Sequence, residues 1–166
     1  MDKNISCLTT KDSDYPALLK EIDQPPAQLY LRGNHQILNH SLLLAVVGSR
    51  KPSPAGKQII AKILPEAVRA GIIIVSGLAF GIDSLAHWVS VKNNLPTIAV
   101  LGTSIDDASI YPRSHTNLAH RILKTGGTIV SEYATGEKTY KSNFLMRNRI
   151  IAGLCRATLI IQACLL

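Results

Sequence analysis

Aromatic residues, cysteines and long apolar runs are all scarce in this sequence of 166 residues. Phe, Trp and Tyr together make up 5% of it, so any stacking on nucleic-acid bases would depend on very few rings. The three cysteines, Cys7, Cys155 and Cys164, show neither paired spacing nor a CxxC motif, which disfavours a metal site and favours reduced thiols. The first residues contain no apolar stretch suited to a signal peptide, and no run approaches the roughly 18 apolar residues of a membrane span. These absences predict a soluble, cytoplasmic protein without a metal ion.

Basic residues outnumber acidic ones. The 18 Lys and Arg residues stand against 11 Asp and Glu residues, which gives a formal net charge of +7 and a pI near 9.5. This balance favours a polyanionic partner such as nucleic acid, although many basic proteins bind none. The length and the 46% hydrophobic content are those of one globular domain with its own core.

The chain divides by texture into a lead-in segment, residues 1–40, and a core, residues 41–166. Prolines and Gly33 punctuate the lead-in segment, and we predict that it forms a short helix and a short strand that pack on the core. Apolar strands and helices alternate in the core, which is typical of an α/β fold with an open, mostly parallel sheet and helices on both faces. The strands are predicted at residues 42–47, 71–77, 97–102, 127–133 and 157–164.

The helices between these strands have recognisable start signals. The first is predicted to begin with Ser53 as its N-cap and Pro54 at its first position. Pro65 lies inside it and predicts a kink or break, because an interior proline removes a backbone hydrogen bond. The predicted apolar stripe of this helix comprises Ile59, Ile60, Ile63, Leu64, Ala67 and Val68. The N-caps predicted for the later helices are Asp83 or Ser84, then Ser114, then Ser142 or Asn143.

The last predicted strand has almost no chain after it. A parallel sheet normally has helices on both faces, and a further helix would be needed to cover this strand. We therefore expect a core domain that is C-terminally incomplete, with its sheet truncated after strand five. A fragment, a frameshifted reading frame and a minimal natural form all fit this ending.

Two stretches carry residues suited to a polyanion. The turn Gly48-Ser49-Arg50 joins the first core strand to its helix, where a helix N-terminus and a guanidinium can hold phosphate. The segment 138–149 surrounds the predicted start of the fourth core helix with cations and one ring, namely Lys138, Lys141, Arg147, Arg149 and Phe144. Plainer interpretations stay open: an ordinary turn with a solvated Arg, and a core Phe beside a solvated helix start.

Familiar catalytic and nucleotide motifs are missing. The turn after the first core strand lacks the G-x-G-x-x-G pattern, and Gly56-Lys57 does not complete a P-loop. No G-x-S-x-G elbow is present. Asp83, His87 and Glu132 are better explained as a helix cap, a packing histidine and a strand-end charge than as acid–base catalysts. We therefore predict no enzymatic activity and no cofactor.

Several stretches occur in a characteristic order: DYPALLKEIDQPPAQLYLRG, VVGSRKPSPAGK, IVSGLAFGIDSLAH, IAVLG with Ile110-Tyr111-Pro112, IVSEY, and NFLMRNRIIAGL. Through these motifs the chain closely resembles the DprA/Smf DNA-processing family over about residues 13–163. Several motifs in the right order are far more specific than one. One departure is His115, which stands where the family usually has Asn.

The resemblance implies an extended Rossmann-like domain that binds and protects incoming single-stranded DNA. It also implies a homodimer that helps to load the RecA recombinase during natural transformation and recombination. No catalytic residue is carried over, because the family is a binding and loading factor. The DNA-binding positions that it implies are Gly48, Ser49, Arg50, the loop from Gly77 to Gly81, Lys141, Asn143, Phe144 and Arg147.

Two alternatives stay open. The first is a related Rossmann-like hydrolase of nucleoside monophosphates, which would need a P-G-G-x-G-T-x-x-E turn. The stretch Gly126-Gly127-Thr128 through Glu132 echoes that turn only partly, since the Pro and the middle Gly are missing. The second is a non-functional truncated product.

Overall fold

Short apolar runs form the strands of one mixed sheet in the computed structural model, which describes residues 5–163. Strands buried on both faces need apolar side chains at successive positions, and the unbroken runs supply them. The strands are β1 (Ile5–Thr9), β2 (Gln28–Gly33), β3 (Leu43–Gly48), β4 (Ile73–Ser76), β5 (Thr97–Val100), β6 (Thr128–Ser131) and β7 (Ala157–Ile161). The α-helices are α1 (Ala17–Lys20), α2 (Pro54–Arg69), α3 (Ile82–Lys92), α4 (Thr116–Lys124), α5 (Asn143–Met146) and α6 (Asn148–Gly153).

The strands lie in the order β1-β2-β6-β5-β4-β3-β7. Neighbours from β6 to β7 pair in parallel, while β2 is antiparallel to β6 and β1 to β2. The strand order reverses at β3, and ligands of open α/β sheets bind outside the carboxyl ends of the strands at such a reversal. The predicted α/β, mostly parallel Rossmann-like sheet is confirmed.

Helices cover both faces of the sheet. On one face, α1 and α6 pack through Leu19, Ile150 and Ile151 on strand residues such as Ala45 and Val75. On the other face, α2, α3 and α4 pack on the alternate residues of the same strands. This alternation follows from the pleat, which points successive side chains to opposite faces. Every position of β4, β5 and β6 is therefore buried, and most of these positions are apolar while the rest are Ser or Thr. The carboxyl ends of these strands are left as the accessible edge.

The lead-in segment contributes more than one strand. Both β1 and β2 belong to it, and β2 pairs with β6 from Tyr30 opposite Ser131 to Gly33 opposite Thr128. Its helix α1 packs on α6 across the core face described above. The segment thus extends the same sheet, and the division of the chain at residue 40 stays a prediction.

The start of α2 confirms its predicted cap, while its interior corrects two expectations. Ser53 Oγ accepts a hydrogen bond from the Gly56 backbone N–H at 3.2 Å, and Pro54 is the first helical residue. The helix runs unbroken through Pro65, so a break, one of the two predicted outcomes, is absent, and the kink stays a prediction. Its buried stripe is Gly56, Ile60, Leu64 and Val68, whereas Ile59 and Ile63 remain 44% and 48% exposed. The stripe is narrower than predicted because α2 contacts the sheet along one row of residues four apart.

Two predicted caps are wrong, and a third lies at its predicted position without a capping hydrogen bond. Gly81 precedes α3 with a φ of +79°, so Asp83 and Ser84 lie inside the first turn of that helix. A 3₁₀ turn, Arg113–His115, leads directly into α4, and Ser114 makes no cap hydrogen bond there. The predicted fourth core helix is two short helices, α5 and α6, which meet at Arg147. Ser142, one of its two predicted caps, is the N-cap residue of α5, but its side chain makes no capping hydrogen bond.

The last strand is shorter than predicted. β7 ends at Ile161, and Cys164, which was included in the predicted strand, lies outside the described residues. Within residues 5–163, β7 pairs with β3 only, and Ile160 is exposed. None of the helices in this range has the length and apolar character needed to cross a membrane.

Candidate nucleic-acid interface

The predicted binding residues meet at the carboxyl edge of the parallel strands. The turn after β3 contains Ser49 and Arg50, and the Ser49 carbonyl accepts a hydrogen bond from the Ile82 N–H of α3 at 3.1 Å. The turn after β4 is the loop Gly77–Gly81, which leads into the same helix. Because parallel strands end at one edge of a sheet, residues from distant parts of the chain come together there.

Gly81 lets the first two turns approach one another. Its φ of +79° is a conformation that favours glycine, and an added Cβ would lie 2.7 Å from the Arg50 carbonyl oxygen. The opposite end of the loop is held by Asp83, whose carboxylate accepts the Gly77 N–H at 3.1 Å. His115 donates from Nδ1 to the Leu78 carbonyl at 2.8 Å, so the loop is fixed along its length.

Arg147 is buried beneath this edge. Its side chain is only 3% exposed, and Nη1 donates to the carbonyls of Gly77, at 2.6 Å, and Val100. Burial lowers the pKa of Arg147, Asp83 raises it and the nearby positive charge of Arg50 lowers it. The guanidinium packs so closely on Gly77 that no side chain could be added there. The structure therefore does not bring Arg147 to the surface, as a direct phosphate contact would require.

The acid–base candidates are occupied by structural contacts. Burial raises the pKa of Asp83, which accepts a hydrogen bond from Gly77. His87 is fully buried, and this burial lowers its pKa to about 3, so the ring stays neutral at physiological pH. Its Nδ1 lies 2.9 Å from Thr97 Oγ1. Glu132 accepts a hydrogen bond from Arg149 at 2.6 Å.

An open groove of about 590 Å³ lies between the loop after β5 and the segment before α5. It is lined by cations, rings and small polar residues: Arg50, Thr103, Ala108, Ser109, Ile110, Tyr111, Arg113, Thr139, Tyr140, Lys141, Phe144 and Leu145. None of these lining residues, as described, is acidic. The groove therefore combines three positive charges with aromatic surface, which are the features that bind a single nucleic-acid strand.

A second depression continues the positive surface on the far side of Arg50. It has a volume of about 420 Å³ and lies between the starts of α2 and α3. Arg50, Lys51 and Lys57 contribute its positive charges, and Gly81 and Ser84 form part of its wall. Since Arg50 lines both spaces, it marks the centre of a continuous basic track.

Phe144 lies on the wall of the groove. It is half-buried and packs on the backbone at Gly102, where an added Cβ would lie 2.9 Å from its ring. Its ring centroid is 5.4 Å from that of Tyr111, with the planes tilted by 55°. Among the described residues, Phe144 belongs to none of the three core clusters. The ring is therefore held in place while part of it faces the groove.

The predicted residues differ in exposure. Arg50 and Lys141 are exposed, and Ser49 and Phe144 are half-buried along the track. Gly77, Asn143 and Arg147 are buried, whereas the glycines Gly48 and Gly81 are half-buried at points of close packing. An added Cβ at Gly48 would collide with the backbone of Ile161 and come within 2.8 Å of Ile82, so this glycine permits close packing of β7 and α3.

The sequence interpretation missed several residues of the groove, namely Tyr111, Arg113 and Tyr140. Phe80 belongs to the predicted loop Gly77–Gly81 but does not line the groove. Tyr111 and Tyr140 are 56% and 61% exposed, and Phe80 packs edge-on against His115 at 5.0 Å. Their signal was an aromatic or basic residue in each of the loops that follow a parallel strand. Lys138 is exposed but does not line the groove, and Arg149 pairs with Glu132 instead.

Comparison with known proteins adds independent information. The sequence model of the family described as DNA recombination-mediator protein A matches residues 6–165. Protein Smf of Synechocystis is 44% identical over 97% of this chain and 40% of its own length. DNA processing protein DprA of Bacillus subtilis is 36% identical over 97% of this chain and 53% of its own length. The chain thus spans about half the length of the curated relatives it matches.

Two solved structures share the fold. DNA processing protein A of Streptococcus pneumoniae superposes with a TM-score of 0.86 at 38% identity, over 98% of this chain and 55% of the other. DNA processing protein A of Helicobacter pylori, described for its single-stranded DNA binding mode, superposes with a TM-score of 0.85 at 32% identity. That match covers 97% of this chain and 70% of the other.

Proposed function

Because this chain belongs to the DNA recombination-mediator protein A family, we propose that it binds single-stranded DNA along the basic track at the carboxyl edge of its sheet. The observation that carries the proposal is the groove itself, which places Arg50, Arg113 and Lys141 around exposed aromatic rings. Cations neutralise phosphates, and a ring offers its face to any base. The single-stranded DNA binding described for the Helicobacter relative supports the same assignment.

The site residues take two roles in this proposal. Ser49, Arg50, Lys141 and Phe144 contact the strand, since their side chains lie along the track. The other five residues shape the turns: Gly77, Asn143 and Arg147 are buried, and the half-buried glycines Gly48 and Gly81 permit close packing. This division revises the direct contact first predicted for Arg147.

The strand is bound with little sequence preference. Phosphate contacts carry no sequence information, and stacking tolerates every base. Affinity therefore falls steeply as salt rises, because each bound phosphate releases counterions. A duplex binds more weakly than a single strand of the same length, because its bases are already stacked on one another.

The rival hydrolase has weaker support. Gly126 and Gly127 precede β6, whereas Glu132 follows it, so the strand separates the two halves of the partial motif. A four-residue strand is roughly 13 Å long at the usual rise per residue. Glu132 also pairs with Arg149. A binding protein without enzymatic activity is therefore the better proposal, and a non-functional truncated product is an outcome of the test below.

We extend the proposal to a longer protein, because the relatives of this chain are about twice its length. In that setting the domain protects incoming DNA in the cytoplasm and helps to load the RecA recombinase during natural transformation and recombination. A homodimer would place two such tracks on one strand. These steps follow from the family resemblance, and they are proposals for this chain.

The binding proposal is tested by fluorescence titration of the chain with labelled oligo-dT at two salt concentrations, beside an assay for nucleotide hydrolysis. Arg50→Ala should weaken binding at least about 10-fold, because it removes a cation at the centre of the track. Lys62→Ala is the matched control, because Lys62 is an exposed cation on α2 that lines neither depression. Both variants should keep the parental melting temperature.

Five outcomes contradict the proposal. Equal losses from the two variants would mean that only net charge matters. Salt-independent binding would exclude binding through phosphate contacts. Equal affinity for a duplex would exclude a site that prefers a single strand. Hydrolysis of a nucleoside monophosphate without oligo-dT binding would favour the rival, and neither activity would indicate a non-functional product.

A further inference from the structure

We propose that Tyr111 is the principal base-stacking platform of the groove, held in place by Phe144 behind it. This inference rests on the proposed single-stranded DNA binding and identifies the ring that a base meets. Tyr111 was not among the predicted site residues. It enters the site because the loop after β5 carries it to the edge where the turns after β3 and β4 also lie.

Tyr111 lies between two adjoining spaces of the site. Tyr111 lines the large groove together with Arg113 and Lys141. It also lines a small adjoining hollow of about 40 Å³ beside Gly77 and Phe80. Arg50 and Phe144 line both spaces as well, so Tyr111 stands on the ridge between them. A base of a strand that follows Arg50 must pass this ridge.

Tyr111 is both exposed and supported by a neighbouring ring. The Tyr111 side chain is 56% exposed, whereas Phe144 is half-buried against Gly102 and Tyr111. The 5.4 Å separation between the two ring centroids leaves no room for a base between them. Phe144 therefore backs the Tyr111 ring, and a base stacks on the surface of Tyr111 that remains open.

Of the two exposed tyrosines in the groove, Tyr111 is held in place by a neighbouring ring and Tyr140, among the described residues, is not. Tyr140 lines the same groove and is 61% exposed, but within the described chain it makes no ring contact. A side chain that is already held loses less rotamer freedom when it binds. Tyr111 therefore contributes more to stacking than Tyr140, although the two side chains are identical and share one groove.

The test compares variants of the chain by titration with labelled oligo-dT over a series of salt concentrations. Tyr111→Ala should weaken binding by about one to two decades, as expected for loss of one stacked base. Tyr111→Phe should bind like the parent, because it keeps the ring. Tyr140→Ala, the matched control, should weaken binding less than about 3-fold, below the range for a stacked base.

Two further measurements isolate stacking from charge. An oligomer of the same length without bases should bind the parent and Tyr111→Ala equally. The slope of log affinity against log salt should be unchanged in Tyr111→Ala, whereas Arg50→Ala should reduce it by about 0.7, the value for one phosphate contact on a single strand. Parental melting temperatures confirm that each variant is folded.

The outcomes separate this inference from the function on which it rests. If the parent binds oligo-dT and Arg50→Ala weakens it, but Tyr111→Ala has no effect or the same effect as Tyr140→Ala, the platform is wrong and the track stands. A loss in Tyr111→Ala that persists on the baseless oligomer also overturns the stacking role. If the parent fails to bind any single strand, the proposed function itself fails.

Discussion

Replacing Arg147 with alanine should destabilise the fold far more than replacing Arg50, although both arginines were first predicted to contact DNA. Arg147 is buried, and Nη1 joins the carbonyls of Gly77 and Val100 beneath the groove. Gly77 directly follows β4 and Val100 is the last residue of β5, so the guanidinium joins the ends of two neighbouring strands at the site edge. Arg50 lies exposed above them.

The magnitude follows from the groups left behind. Arg147→Ala leaves two buried carbonyl oxygens without a hydrogen-bond donor. Each unsatisfied acceptor costs about 1–3 kcal/mol, so the free energy of unfolding should fall by about 2–6 kcal/mol. For a domain of this size each kcal/mol lowers the melting temperature by about 2–4 °C, which gives a decrease between about 4 and 24 °C. Asp83 also loses a nearby cation that lowers its pKa, which adds to the loss.

Thermal unfolding followed by circular dichroism measures this effect, with Arg50→Ala as the matched control. Arg50→Ala should keep its melting temperature within the change expected for about 0.5 kcal/mol, because exposed substitutions seldom cost more. Oligo-dT titrations below the melting temperatures complete the comparison. Arg147→Ala should retain the parental salt dependence, whereas Arg50→Ala should show a weaker one.

The opposite pattern would refute the reasoning. If Arg147→Ala melts at the parental temperature and shows a reduced salt dependence of binding, its guanidinium reaches a phosphate in solution. The positioning role inferred from its burial would then be wrong, and the direct contact first predicted from the sequence would be correct.

Two further predictions concern a groove ring and a buried histidine. Phe144→Ala should weaken oligo-dT binding by about one to two decades with a small change in melting temperature, because its ring lines the groove and supports Tyr111. Unfolding of this variant, or parental affinity, would contradict a role in binding. The lowered pKa of His87, about 3 against 6.5, means that the folded state favours the neutral ring, so this stabilisation is complete above pH 6.5 and is lost as the pH falls towards 3. His87→Asn should therefore show a smaller fall in melting temperature than the parent between pH 6.5 and pH 3, and parallel curves for the two proteins would exclude His87 as a source of the pH dependence.

Local sequence signals determined the elements of the core. Continuous apolar runs identified the strands β3 to β7, and Ser53 with Pro54 identified the start of α2, because these signals act between neighbouring residues. The lead-in segment was harder, since a strand such as β1 has no apolar run and is stabilised by long-range pairing with β2 and by packing of Ile5 and Leu8 on the core. The later caps failed because Gly81 and the 3₁₀ turn Arg113–His115 replaced a side-chain cap by backbone geometry.

The sequence alone was sufficient to bring attention to Arg50, Lys141 and Phe144, because residue type and position after a strand indicate the carboxyl edge. Only the tertiary structure decided which side chains reach that edge. Arg147 occupies a helical segment rich in cations, yet the ends of β4 and β5 draw its guanidinium inward, since their buried carbonyls need a donor. Tyr111 follows a different strand, and its place beside Phe144 depends on the packing of loops separated by more than thirty residues of chain. Contacts of that range are set by strand order and register, and no local pattern encodes them.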